Sequence, residues 1–321
     1  MGIGQKAFVI IPLAVFVLLA CSKREDSSSA SSSSEFDSSS SESSSSGSSS
    51  SDLSSQESSS SSSSEEAQGL FSFPDAVSDY YAPIDTNQTG EDLALSIHDL
   101  MLDTHTYYTT YGELRFTFYQ TDGDPTSEND LIDFYTKETY SATWDSSSSR
   151  LYDREHVWCK SLSSGLWASS GFTNESRGGG SDMFHIRPTR SSYNTARSNK
   201  LYGEVVNGTQ RTFGYVTASV FEPFDDVKGN VARELFYIYL HYTEDYGGES
   251  NEYTGDLNIT DIVSSSSEAE AWAMLLEWNE LDPVEESETR LNDYAETVQY
   301  NRNPFIDCPE LANYIWGVSA A

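Results

Sequence analysis

The sequence predicts an α+β domain, helix-rich and single, occupying residues 67–321, and three observations predict it. Apolar residues recur at three- and four-residue spacing in several long stretches of the body, the signature of amphipathic helices. Between them lie shorter aromatic-rich pieces of extended character, around 114–120, 150–158 and 212–221. The overall composition, 37% hydrophobic and 13% aromatic, is diluted by a serine tract, so the remaining body is core-forming.

At the start, Ala7–Ala20 is an apolar run of 14 residues, preceded by Lys6 and followed by Cys21. It is shorter than the roughly 20 residues a membrane-spanning helix needs and reads as a secretory leader. Its end, Leu18-Leu19-Ala20-Cys21, resembles the bacterial lipobox, which predicts residues 1–21 as a lipoprotein signal peptide with Cys21 as the lipidated residue. Residues 22–66 are serine with scattered acids, too poor in apolar surface to offset chain entropy; a disordered acidic linker is expected there.

In the body, the spacing predicts a helix over 89–108, where His98 and His105 read as ordinary helix residues. Asp122-Gly123-Asp124-Pro125 predicts a turn, since EF-hand spacing is lacking. Asp225 and Asp226 head a helical pattern through Val227, Val231, Leu235, Ile238 and Tyr242. Another runs from Ser264 to the residues before Asp282-Pro283, and a third begins after Ser287 as its cap.

The chain carries 51 acidic and 18 basic residues, a formal charge of −33, which excludes a generally basic nucleic-acid coat. The body from Ala67 onward keeps a net charge of −27, yet the stretch 150–211 has nine bases against five acids. A cationic strip on an anionic body points to phosphate handled at one place.

The residues with chemistry gather in that strip: Arg154-Glu155-His156, Asp182 to Pro188, and Tyr193-Asn194-Thr195-Ala196-Arg197-Ser198-Asn199. Carboxylate and amide oxygens suit a hard divalent cation such as Mg²⁺; a neutral imidazole accepts a proton near pH 7; a guanidinium steadies phosphoryl charge. Together they suggest metal-assisted phosphodiester hydrolysis. These blocks, with Phe221-Glu222-Pro223, Lys228-Gly229-Asn230, Asp282-Pro283-Val284 and Asn301-Arg302-Asn303-Pro304, resemble the bacterial endonuclease I family of His-Me finger (ββα-metal) nucleases, over about Tyr80 to Trp316.

The resemblance implies a ββα-metal core embedded in the helix-rich domain. It makes His156 the general base, Glu155 and Asn194 ligands of one Mg²⁺ (Ca²⁺ or Mn²⁺ as substitutes), and Asn199 the fallback for Asn194. Because neighbouring strand residues face opposite ways, Glu155 and His156 share a phosphate only if the strand ends or bulges there. Arg187 and Arg197 are candidate phosphate contacts; His185 reads as a core or supporting residue. Cys159 and Cys308 stand where many members have proline and histidine, and that double departure in an exported protein suggests a disulfide between them. The expected activity is extracytoplasmic hydrolysis of DNA, and of RNA in addition, with little sequence specificity and 5′-phosphate ends. The expected place is the cell envelope, held there by the lipid anchor alone, with no protein partner implied. The alternative is a non-catalytic surface binding or adhesion lipoprotein on a nuclease scaffold.

Overall fold

The computed structural model describes residues 69–142, 151–162, 166, 173–245 and 255–317. The leader, Cys21 and the serine tract lie outside the described residues. The described residues belong to one compact unit, in keeping with the single-domain expectation.

In chain order the elements are α1 (Gly90–Thr104), α2 (Leu114–Thr121), β1 (Asp130–Ile132), β2 (Thr139–Ser141), β3 (Tyr152–His156), β4 (Ile186–Arg190), α3 (Ser191–Arg197), β5 (Leu201–Tyr202), β6 (Thr209–Arg211), β7 (Gly214–Val216), β8 (Val220–Glu222), α4 (Asp225–Tyr242), α5 (Glu268–Leu281), α6 (Glu286–Val298), α7 (Pro304–Asp307) and α8 (Leu311–Trp316). The strands form two antiparallel pairs, β1 with β2 and β3 with β4, and a four-stranded sheet ordered β5-β8-β7-β6. This is α+β, as predicted.

Helix α4 is the axis of the core, buried from Val227 to Tyr242 and packed against α5, α1 and α7. A buried helix tolerates charges only when each finds a partner. Lys228 reaches Glu222 at 2.8 Å, Arg233 is clamped by both oxygens of Glu288 at 2.7 Å, and Glu234 receives Arg187 at 2.9 Å. Gly229 lets α4 approach the end of α5: a Cβ there would fall 2.0 Å from the backbone oxygen of Asp282.

Two expectations are corrected. Residues 114–121 are a helix, not an extended piece. The alternation of Leu114, Phe116 and Phe118 mimics a strand, but the buried set is Leu114, Thr117, Phe118 and Thr121, the helical spacing, with Phe116 69% exposed. Thr117 satisfies its hydroxyl locally by donating to the carbonyl of Leu114 at 3.0 Å. Helix α6 starts two residues earlier than expected: Glu285, not Ser287, is the N-cap, in a capping box with Glu288. The other helices follow their patterns, with α1 ending at Thr104 and α5 beginning after the Ser267 cap. The expected turn falls slightly later, at 124–127, where the Ser127 N–H reaches the Asp124 carbonyl at 3.1 Å and the Asp124 carboxylate accepts the Thr126 N–H at 2.7 Å; Asp122 caps α2 and Gly123 bridges Leu131.

Candidate active site

Strands β3 and β4 pair antiparallel from Tyr152↔Arg190 to His156↔Ile186, and α3 starts at the residue after β4. Two strands and a helix in this order are the ββα unit. The connection from 157 to 185 is pinned by His185, fully buried, whose Nδ1 lies 2.6 Å from the carbonyl of Gly179 and Nε2 3.0 Å from that of Trp158. His185 is therefore the core residue that the sequence suggested, and its ring meets His156 edge-on at 5.6 Å.

His156 is the last residue of β3, so the strand's alternation ends there. Its pairing with Ile186 keeps the register regular to that point, and Glu155 and His156 both line one concavity of about 700 Å³ with Asn194, Arg197 and Asn199. Asn194 is half-buried on α3 and Asn199 is exposed just beyond its end. The histidine and both candidate amides thus share a wall although they lie some forty residues apart in the chain.

Glu155 is buried, and its Oε1 accepts from the Tyr135 hydroxyl at 2.8 Å and faces the Arg197 guanidinium at 3.3 Å. Burial pushes its carboxyl up to about 7 against the opposing pull of Arg197 and Tyr135. Burial drives the His156 imidazole well below its ordinary value, helped by His185 and the positive charges of Lys160, Arg154 and Arg197. The ring is neutral at pH 7, the form that accepts a proton. Tyr111 stacks on it at 5.5 Å.

The two candidate phosphate arginines have other duties. Arg187 is 4% exposed and lies outside the concavity, its guanidinium held by Asp122 at 2.5 Å and Glu234 at 2.9 Å. It is removed from the phosphate-contacting set. Arg197 does line the concavity, but it is 1% exposed and donates to the carbonyls of Val157 at 2.9 Å and His156 at 3.2 Å. It ties α3 to the end of β3. With Arg154 also buried, much of the cationic strip is internal scaffolding rather than a nucleic-acid surface.

The expected disulfide is not formed. Both cysteines are buried free thiols. Cys159 sits in the concavity, with sulfur 3.4 Å from the Ser161 hydroxyl and 3.7 Å from the Ser198 carbonyl. Cys308 caps the end of α7, its sulfur 4.0 Å from the Glu310 carboxylate. Burial and the neighbouring Glu310 push its thiol up to about 12, the unreactive form.

Sequence reasoning missed Tyr135, whose hydroxyl also meets that of Tyr202 at 2.9 Å and so fixes the group that orients Glu155. It also misplaced His105, which lies one residue past α1, fully enclosed with Asp182 and His241, the three ligand-type atoms within 4.8 Å of one another. Among the described residues this is the one such group of metal-ligand type. His105 Nδ1 and His241 Nε2 are 2.8 Å apart with ring centroids at 5.0 Å, so the two nitrogens face each other along a hydrogen bond. Asp182 accepts from Tyr237 at 2.8 Å and Tyr242 at 2.6 Å. An ion bound about 2.0 Å from each nitrogen requires both lone pairs to converge on it, so the rings would have to turn apart. No spacing in the sequence signals this set, because its members are 77 and 59 residues apart.

Residues 89–310 match the family model for Endonuclease I. The chain belongs to the endonuclease I family. It is 35% identical over 247 residues to an extracellular ribonuclease of Bacillus subtilis (strain 168), covering 76% of this chain and 80% of that protein. An extracellular ribonuclease of Bacillus amyloliquefaciens is 33% identical over the same coverage. As an endonuclease I member the protein is a phosphodiester hydrolase of nucleic acid, and the β3-β4-α3 unit holds part of the blocks on which the family resemblance rested.

Proposed function

We propose that this endonuclease I protein is an exported, Mg²⁺-dependent nuclease that hydrolyses RNA, and DNA as well, leaving 5′-phosphate ends. The observation that carries the reading is the shared concavity of His156, at the end of β3, and Asn194, on α3. The two Bacillus relatives are called extracellular ribonucleases, which supports RNA as substrate and an extracytoplasmic site of action.

His156, neutral at pH 7, takes the proton of the attacking water; Arg197, bonded to the His156 carbonyl, holds the strand end that carries the ring. Glu155 and Asn194 offer one carboxylate and one amide oxygen to the concavity, with Asn199 as a second amide, a donor set that fits Mg²⁺. Tyr135 orients the carboxylate. Mg²⁺ bound there would supply Lewis-acid stabilisation of the leaving oxygen. The net charge of −27 over the body makes binding weak and salt-sensitive.

For the segments outside the described residues, we propose the arrangement read from the sequence: leader 1–21, acylated Cys21, tether 22–66 and catalytic body from 67. Metabolic labelling with a fatty acid, lost in Cys21→Ala, tests the anchor. The function is tested with purified protein on single-stranded RNA and plasmid DNA, with Mg²⁺, with EDTA, and as His156→Ala. Cleavage only by the wild type with Mg²⁺ supports the reading; equal cleavage in all three refutes the site, and none in any refutes the activity.

A further inference from the structure

We propose that the cavity on the other flank of α3, lined by Tyr193, Ala196, Gln210, Arg211, Thr212 and Phe213, is a nucleobase subsite that takes an unpaired base next to the cleaved bond. This rests on the nuclease reading and deepens it to a preference for single strands over duplexes.

The argument begins with helix geometry. On α3, Asn194 and Arg197 are three residues apart and face the His156 concavity; Tyr193 and Ala196, also three apart, face the second cavity. One residue step separates the faces, about 100° of rotation and 3.8 Å of backbone. A strand that crosses α3 with one phosphate by Asn194 would bring a nearby nucleotide to Tyr193.

The second cavity, about 640 Å³, has what a base requires. Tyr193 is half-exposed and stacks on Phe213 at 5.2 Å and 27°. Phe213 is itself wedged against Phe221 at 5.5 Å and Tyr135 at 6.4 Å, so the Tyr193 ring rests on the aromatic core that positions Glu155. Its place at the β6–β7 hairpin depends on Gly214, at φ +140°, where a Cβ would meet the Glu222 carbonyl at 2.4 Å. A rigid, partly exposed ring is a stacking platform tolerant of any base. Around it, Gln210 and Thr212 offer exposed hydrogen-bonding groups, and Arg211 is an exposed cation with no carboxylate in ion-pair contact among the described residues. Lys200, which donates to the Ala196 carbonyl at 3.0 Å, adds a second cation near the end of α3. A base held in a duplex is stacked and paired, and entering this cavity would require unpairing it, so the geometry favours single strands.

The test compares a short single-stranded RNA with versions carrying one abasic ribose at successive positions around the cleaved bond. The wild type should show a kcat/KM about tenfold lower for one abasic position, expressed in KM, and cut duplex RNA more slowly. In Tyr193→Ala the base-to-abasic ratio should fall to about one, and Tyr193→Phe should restore it. Arg211→Ala, on an exposed side chain, should raise KM for all the RNAs together. A wild-type ratio of one at every position, or a ratio unaltered in Tyr193→Ala, overturns the subsite. Should the wild type cut no RNA, the nuclease reading fails, and fluorescence anisotropy of the same RNAs in EDTA decides the subsite alone: equal affinity for base and abasic strands refutes it, and a preference lost in Tyr193→Ala upholds it.

Discussion

Replacing Arg187 by methionine separates a structural arginine from a substrate-binding one. The guanidinium lies between Asp122 and Glu234, both buried, above the Phe134 ring at 5.2 Å. Methionine keeps much of the side-chain volume but leaves two carboxylates enclosed without their shared cation. Breaking a buried ion pair from one side costs about 3–5 kcal/mol. For a domain of this size each kcal/mol moves Tm by roughly 2–4 °C, so Arg187→Met should melt about 6–20 °C below the wild type. Calorimetry gives the shift, and RNA hydrolysis well below the melting range gives KM and kcat. The expected result is a large fall in Tm with KM within about twofold of wild type. A tenfold rise in KM at unchanged Tm would show that Arg187 binds phosphate and that its buried pairing has been misread.

Three further expectations follow from other contacts. Tyr135→Phe removes the hydroxyl that donates to Glu155, and the half-saturating Mg²⁺ concentration for RNA cleavage should rise about tenfold; an unchanged Mg²⁺ titration would sink the supporting role. Burial lowers His105 to about 4, whereas the unfolded ring takes up its proton near 6.5. The contribution of the neutral ring is therefore complete above pH 6.5 and lost as pH falls toward 4, on the order of 3 kcal/mol. Denaturant midpoints at pH 7.5 and 4.5 should differ accordingly, with a smaller difference in His105→Gln; equal pH sensitivity in both proteins would contradict it. Gly229→Ala in an ordinary helix would gain about 1 kcal/mol, but here the added methyl meets the Asp282 carbonyl, and Tm should fall. A raised Tm would refute that close approach.

Sequence alone determined the helices whose burial is a matter of local spacing. The pattern headed by Asp225 became α4 at its expected start, and α5 stopped where Pro283 required. It also anticipated the β3-β4-α3 unit with His156 at its edge, since motif order survives folding. What it could not decide was the fate of side chains whose partners are remote. Arg187 finds Asp122 65 positions away and Glu234 47 away, and only that meeting turns a candidate phosphate ligand into an internal strut. His105 and His241, 136 positions apart, become one hydrogen-bonded pair. Cys159 and Cys308 stay apart because one belongs to the α3 groove and the other to the end of α7. Even α2 was settled by packing, which sent threonine inward and Phe116 outward against the alternation of the sequence. The physical reason is common to all four cases: periodicity constrains which face of an element is covered, while the energy of a charge, a ring nitrogen or a thiol depends on what the rest of the chain brings to within about 3 Å of it.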